Sequence, residues 1–146
     1  MARKSASPGR KGAFRIAGPA DQPRPIDLGG ANAAGEPGGV SISLRHYRQE
    51  TECFSAWSDS DLKKFGATVA KLKGYSGDEL RRSGLCCRHK SDPDEARFRR
   101  PEGISPDAPM FEIRVDVANL ARIHGVFERN VFHLVWLDCK HRVFRT

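Results

Sequence analysis

The sequence predicts an α+β domain in which two helices pack against an antiparallel sheet. Residues 110–146 alternate apolar and charged side chains in several short runs, which is the period of half-buried strands. Residues 58–74 carry apolar side chains at helical spacing instead. Residues 1–39 show neither period. A helix and a sheet each need an apolar partner, so we expect residues 40–146 to form the domain, with the helices covering one face of the sheet.

The first 39 residues are predicted to be a disordered, basic arm. Eight of the 14 glycines and five of the nine prolines lie in residues 1–40, where apolar residues are few. Such a segment cannot bury enough apolar surface to offset the chain entropy lost on folding. A solvated tail is the simpler interpretation of this arm, and a contact with RNA is the alternative.

The charge balance favours a polyanionic partner. The chain has 25 Lys and Arg residues against 18 Asp and Glu, a net charge of +7 at pH 7. The sequence has no run of about 18 apolar residues, the length that a membrane-spanning helix needs. No apolar run follows the basic N-terminus as it would in a secretory signal. We therefore expect a cytoplasmic protein without a membrane partner, for which nucleic acid is the first candidate ligand.

The cysteines are expected to be reduced thiols, as is usual in the cytoplasm. Cys86 and Cys87 are adjacent and lack the spacer that lets two thiolates reach one zinc ion. We therefore expect neither a metal nor a cofactor.

The segments before the sheet are predicted from local patterns. Residues 40–44 alternate apolar and polar side chains, which predicts a strand. Residues 48–57 are expected to form a short helix. A longer helix should begin after Ser58 and end at Gly74. Its predicted buried stripe is Leu62, Phe65, Val69 and Leu72.

A second helical turn is expected at residues 78–82. Residues 86–109 contain four prolines and a mixed charge run, so they are predicted to form a long loop. This loop is either a solvated excursion on the surface or a functional segment.

Four strands are predicted in the C-terminal segment, at residues 111–115, 121–127, 131–137 and 141–144. Residues 131–137 are apolar on both faces apart from His133, which predicts the central strand. Asn130 is expected to adopt a left-handed conformation in the preceding hairpin. Trp57 and Trp136 are interpreted as core residues, and His133 as a structural residue.

The charged face of this sheet carries Arg114, Arg122 and His124. The helices should cover the opposite face, so we expect these three side chains to line an open, shallow, cationic groove. Register decides which parity points outward, and the sequence alone does not determine it.

The order of strand, helical pair, long loop and meander with a basic end resembles the RelE/ParE toxin superfamily. The resemblance covers residues 40–146 and is carried by FEIR at 111–114, ARIHG at 121–125 and LDCKHRVF at 137–144. It implies a toxin of a toxin–antitoxin system that cleaves mRNA at the ribosome without a metal. The implied partners are an antitoxin protein, mRNA and the ribosome.

The resemblance also implies which residues act. Arg122 and Arg114 would hold the scissile phosphate, His141 or Glu112 would take the 2′-proton, and His124 would assist. Phe144 stands where many of these nucleases have a tyrosine. Basic residues expected to contact nucleic acid are Lys140, Arg142, Arg99 and Arg100.

Two other functions remain open. ParE-like members of the superfamily share the fold and inhibit DNA gyrase, so the domain could bind a protein target without catalysis. It could also be a generic basic RNA-binding domain, for which steep weakening of binding by salt is typical.

Overall fold

A computed structural model describes residues 38–116, 118 and 120–145. The predicted arm lies outside the described residues except for Gly38 and Gly39. The elements, in chain order, are β1 (Ser41–Ser43), a 3-10 helix (Phe54–Ala56), α1 (Asp59–Leu72), α2 (Gly77–Arg82), β2 (Cys86–Arg88), β3 (Phe111–Arg114), β4 (Arg122–Glu128) and β5 (Val131–Asp138). The predicted α+β class is confirmed. None of the helices in the described segments is long and apolar enough to cross a membrane.

The sheet has five strands in the order β1-β5-β4-β3-β2. Strands β2 to β5 pair with antiparallel neighbours, which confirms the predicted meander for its three main strands. Strand β1 pairs with β5 in parallel, so the sheet is mixed. The middle position belongs to β4, whereas the apolar sequence of β5 had predicted that β5 would hold it.

Two predicted elements are absent from the described residues, and one strand is new. Residues 48–57 contain only turns and the 3-10 helix, and residues 141–144 form bends where a strand was predicted. His141 adopts a positive φ of 52°, which ends the extended conformation after β5. Strand β2 lies within the predicted loop, and it forms because β3 offers it a free edge.

Helix α1 begins as predicted, with Ser58 Oγ accepting a hydrogen bond from Asp61 N at 3.1 Å. The stripe prediction is wrong in part, because Leu62 and Val69 are 36% and 38% exposed. Leu72 is buried as predicted, and the helix also buries Asp61 and Thr68. Helix α2 follows with a capping box.

The hairpin between β4 and β5 is at the predicted place, but its turn has two residues where three were predicted, because β4 extends through Glu128. Its left-handed residue also differs from the predicted one. Arg129, with φ 54°, takes that conformation in place of Asn130. The Asn130 side chain instead accepts a hydrogen bond from Gly77 N and donates one to Gly38 O. It therefore ties the hairpin to the start of α2 and to the segment before β1.

Apolar side chains cover both faces of the sheet. One core cluster, with Leu72 and Leu80, joins the helices to the sheet. A second cluster on the other side combines Phe98 and Ile104 from the long loop with Trp136 and Val143. The prediction of an open cationic face is therefore wrong, because the long loop and the C-terminal bend cover that side. The polar side chains there lie in a local cavity.

Thr68→Val is expected to lower the free energy of unfolding by about 1–3 kcal/mol. Thr68 Oγ1 donates a buried hydrogen bond of 2.9 Å to Val115 O, and valine leaves that carbonyl without this donor. Chemical denaturation would measure the loss. Ser60→Ala, an exposed change on the same helix, is the control and should have an effect within about 0.5 kcal/mol. Equal effects of the two changes would contradict a role for the Thr68 hydrogen bond.

Candidate active site

Polar side chains form two rows across strands β2 to β5. Within each row, the residues are paired across neighbouring strands. The first row is Cys87–Glu112–His124, and the second is Arg114–Arg122–Asp138. Residues two apart on a strand share a face, so both rows lie on the same side of the sheet. The predicted grouping of Arg114, Arg122 and His124 on one face is confirmed.

These rows border a cavity of about 460 Å³, called here the Glu112 cavity. Its lining residues are Cys87, Arg88, His89, Lys90, Ser91, Glu112, Arg114, Arg122, His141, Phe144 and Arg145. Four of the five predicted catalytic residues are among them. Five of the lining side chains are Arg or Lys and one is acidic, so the cavity attracts anions.

Glu112 lies at the centre of the polar contacts in this cavity and is 7% exposed. Its Oε1 is 3.6 Å from Arg122 Nε, and its Oε2 is 3.7 Å from both His89 Nε2 and His141 Nε2. A carboxylate therefore lies close to two imidazoles and a guanidinium, and one bridging water can carry a proton between the carboxylate and either imidazole.

The two arginines are held differently. Arg122 is buried, and its Nη1 donates to Ala121 O at 3.0 Å and to Asp116 O at 3.5 Å, which orients the guanidinium. Arg114 is half-buried, and its Nη2 lies 3.9 Å from Cys87 Sγ. Arg114 Nε is buried without a hydrogen-bond partner among the described residues. A buried donor without an acceptor is costly, so Arg114 is suited to an anionic ligand in the cavity.

The sequence predicted that His124 would assist catalysis. His124 instead lies beneath the cavity, is fully buried and does not reach a substrate. Its Nε2 is 3.0 Å from Asp138 Oδ2, and its Nδ1 is 3.2 Å from His89 Nε2. Asp138 also accepts hydrogen bonds from Arg142 N and Val143 N. Burial raises the pKa of Asp138, but these hydrogen bonds outweigh it and hold the pKa below its ordinary value.

His89 is the histidine of the cavity that the predicted site did not include. Its ring stacks on Phe144 with centroids 3.4 Å apart. Burial lowers the pKa of His89 to about 4, assisted by the neighbouring His124 and His141. The basic run at residues 88–90 was the available signal, but its place beside Glu112 depends on the pairing of β2 with β3.

Phe144 lines the cavity. The resemblance to the RelE/ParE superfamily implies that many nucleases have a tyrosine at this position. Phe144 offers a ring face and no hydroxyl, so it neither donates nor accepts a proton. The histidines and Glu112 of the cavity are the groups suited to that task.

The four basic residues predicted to contact nucleic acid lie outside the Glu112 cavity. Lys140 and Arg142 line a separate depression of about 190 Å³. Arg100 forms an ion pair with Asp92 and donates to Ser105 O and Ala108 O, so it braces the long loop. Arg99 is exposed on that loop.

One group of side chains in the described segments has the composition of a metal site. His89, Glu112 and His124 each offer one ligand atom, and these atoms lie within 4.8 Å of one another. The cysteines of the described segments are free thiols. Burial raises the pKa of Cys86 to about 12, so this thiol stays protonated at neutral pH.

The candidate active site therefore combines Glu112, two histidines and two arginines in one anion-attracting cavity. The comparisons with known proteins add no assignment to it. No protein-family model, no curated protein and no solved structure matches this chain. Membership of the RelE/ParE superfamily stays a prediction.

Proposed function

We propose that this protein is a metal-independent endoribonuclease that cleaves RNA by attack of a 2′-hydroxyl on the adjacent phosphorus. The observation that carries the proposal is the convergence of Glu112, His141, Arg114 and Arg122 in one cavity. Transesterification of RNA needs a proton acceptor, a proton donor and cations near the phosphate. These four side chains supply all three.

The arginines bind the scissile phosphate. Arg114 has an unpaired buried Nε–H, and Arg122 is oriented by two backbone carbonyls. Guanidinium groups suit phosphate oxygens because they donate parallel hydrogen bonds. Charge builds up on these oxygens in the phosphorane-like transition state, so donors fixed in advance lower the barrier.

Glu112 and His141 move the protons. The Glu112 carboxylate accepts the proton of the 2′-hydroxyl while O2′ bonds to phosphorus. The bond from phosphorus to O5′ breaks, and protonated His141 donates its proton to O5′. The products are a 2′,3′-cyclic phosphate and a 5′-hydroxyl. Glu112 Oε2 and His141 Nε2 are 3.7 Å apart, so one water between them can return the proton from Glu112 to His141 and restore the starting state.

A depression next to the cavity provides a path for the RNA strand, and its charged lining residues are Arg88, Lys90 and Arg100 with Asp92 and Asp107. It has a volume of about 330 Å³ and shares Arg88, His89, Lys90 and Ser91 with the Glu112 cavity. A strand that follows it contacts cations on both sides of the scissile phosphate, which strengthens binding without sequence readout.

The proposal implies the partners of a RelE-like toxin. The messenger RNA is bound on the ribosome, and an antitoxin protein inhibits cleavage by covering the Glu112 cavity. Charge complementarity favours an acidic segment of the antitoxin at this place, because most of the charged lining side chains are cationic.

The proposal is tested with purified protein and single-stranded RNA in EDTA, and in parallel with mRNA on ribosomes. We expect cleavage in at least one setting, with 2′,3′-cyclic phosphate ends. A single 2′-deoxynucleotide at the cleaved position should abolish the cut there. RNA binding without cleavage in both settings would favour the generic RNA-binding function. Inhibition of gyrase with intact RNA would favour the ParE-like function.

Arg114→Ala is expected to weaken RNA binding by about 10-fold to 100-fold, because a charge-assisted phosphate contact is lost. The plot of log affinity against log salt concentration should become shallower by about 0.7 per lost contact with single-stranded RNA. Fluorescence anisotropy at several salt concentrations measures both quantities. Lys63→Ala, an exposed change on α1, is the control for loss of one positive charge. An unchanged salt dependence for Arg114→Ala would show that Arg114 does not contact phosphate.

A further inference from the structure

We propose that His89, Glu112 and His124 form a binding site for a divalent transition metal ion of the zinc class. The three ligand atoms lie within 4.8 Å of one another. His89 Nε2 is 3.2 Å from His124 Nδ1 and 3.7 Å from Glu112 Oε2. These separations bring two imidazole nitrogens and a carboxylate oxygen together at the inner wall of the Glu112 cavity.

The separations fit one ion among the three atoms. Zinc binds imidazole nitrogen and carboxylate oxygen at about 2.0–2.2 Å, and tetrahedral angles then place ligand atoms about 3.3–3.5 Å apart. The two distances from His89 Nε2, 3.2 Å and 3.7 Å, differ from this value by a few tenths of an ångström, and all three ligand atoms lie within 4.8 Å of one another. Rotation of the Glu112 side chain, which lines the cavity, closes the remaining difference.

A second shell of contacts holds the deepest ligand in position. Asp138 is fully buried and lies 3.0 Å from His124 Nε2, so this nitrogen is the one that donates. The lone pair of a neutral His124 is then on Nδ1, which faces His89. A carboxylate that accepts from the outer nitrogen of a histidine ligand is a recurrent feature of zinc sites.

Besides this rotation, binding requires a change of tautomer at His89. When His89 Nε2 binds the ion, the ring carries its proton on Nδ1, and the hydrogen bond to His124 is replaced by two bonds to the metal. His89 is kept in place by its stacking on Phe144. The remaining coordination position opens to the cavity, where water can occupy it.

The donor set selects the class of ion. Two imidazoles and one carboxylate suit Zn²⁺, Co²⁺ or Ni²⁺, whereas Mg²⁺ and Ca²⁺ prefer sites made of oxygen ligands. Arg122 Nε lies 3.6 Å from Glu112 Oε1 and competes with the ion for this carboxylate. The buried carboxylate of Asp138 partly offsets the added positive charge.

A bound ion also regulates the cavity, and this consequence rests on the proposed function. Coordination removes Glu112 as a proton acceptor and places positive charge where the 2′-proton must arrive. Zinc should therefore inhibit RNA cleavage, and chelation should restore it.

The metal site is tested by titrating the full chain, kept reduced, with Zn²⁺ in a calorimeter and with Co²⁺ in a spectrophotometer. We expect one ion per chain. Cobalt should show visible d–d bands without the sulfur-to-metal charge-transfer band that a cysteine ligand would produce. His89→Asn and Glu112→Gln should each abolish the bands. Asp138→Asn should weaken binding by about 10-fold to 100-fold, as expected for a second-shell carboxylate.

Matched controls come from a second histidine–glutamate pair in the chain. His133 Nε2 is 3.1 Å from Glu128 Oε2, outside the Glu112 cavity. His133→Asn and Glu128→Gln should leave the cobalt bands unchanged. Circular dichroism checks that each variant is folded. The proposal is overturned if the wild type binds no ion, if His89→Asn binds as tightly as the wild type, or if the spectrum shows thiolate ligands.

The cleavage assay distinguishes the metal site from the proposed function. If zinc binds to the three residues but does not slow cleavage, the metal site stands and the regulatory consequence is wrong. If RNA is never cleaved, the proposed function fails, and the titration alone still decides whether the metal site exists.

Discussion

Glu112→Gln is expected to lower the rate of RNA cleavage by about 10²-fold to 10⁴-fold, the usual contribution of general acid–base catalysis. Glutamine keeps the size of the side chain but does not accept the 2′-proton. The loss should appear in kcat rather than KM, because Arg114 and Arg122 still bind the phosphate. Single-turnover cleavage of an RNA oligonucleotide at saturating protein measures it.

The control for this variant is Glu128→Gln. It makes the same substitution at an exposed glutamate, which pairs with His133. It should cleave RNA at the wild-type rate. His141→Asn should lose activity to a similar degree, because the leaving 5′-oxygen then has no proton donor, and His133→Asn should not. Full activity in both Glu112→Gln and His141→Asn would show that the reaction uses other groups.

Asp138→Ala is expected to lower the free energy of unfolding by about 3–5 kcal/mol. Asp138 is fully buried and accepts hydrogen bonds from His124 and from the backbone of Arg142 and Val143. Alanine leaves these donors without their acceptor and releases the bend that carries His141. Thermal and chemical denaturation measure the loss.

Asp78→Ala is the matched control for the aspartate change. Asp78 is exposed and pairs with Arg81 on the same helix, so its removal should change stability by at most about 1 kcal/mol. If Asp138→Ala were no more destabilising than Asp78→Ala, the buried hydrogen bonds of Asp138 would not hold the C-terminal bend in place.

The elements that were predicted correctly are those with a local cause. Ser58 caps α1 because its side chain reaches the amide of Asp61, only three residues later in the sequence. The alternation in β3 and β4 placed Arg114 and Arg122 on one face because side chains of a strand alternate with period two. Three of the predicted catalytic residues, Glu112, Arg114 and Arg122, lie on these strands and share the Glu112 cavity for this reason.

The incorrect predictions concern contacts between distant segments. Leu62 and Val69 fit the helical stripe, yet Thr68 and Asp61 are buried because the contact face of α1 is set by what packs against it. His124 was expected at the surface, and the long loop and the C-terminal bend cover it. Strand β2 was missed because its pairing with β3 joins segments more than twenty residues apart.

The amino-acid sequence by itself determined the α+β class, the start of the main helix and the set of basic and acidic side chains on the sheet. Each of these depends on interactions within a turn of helix or along one strand. Only the tertiary structure decided that His89 joins Glu112 and His141, and that His124 and Asp138 lie buried beneath them. Strand register and loop packing bring these residues together, and both depend on contacts between segments far apart in the chain.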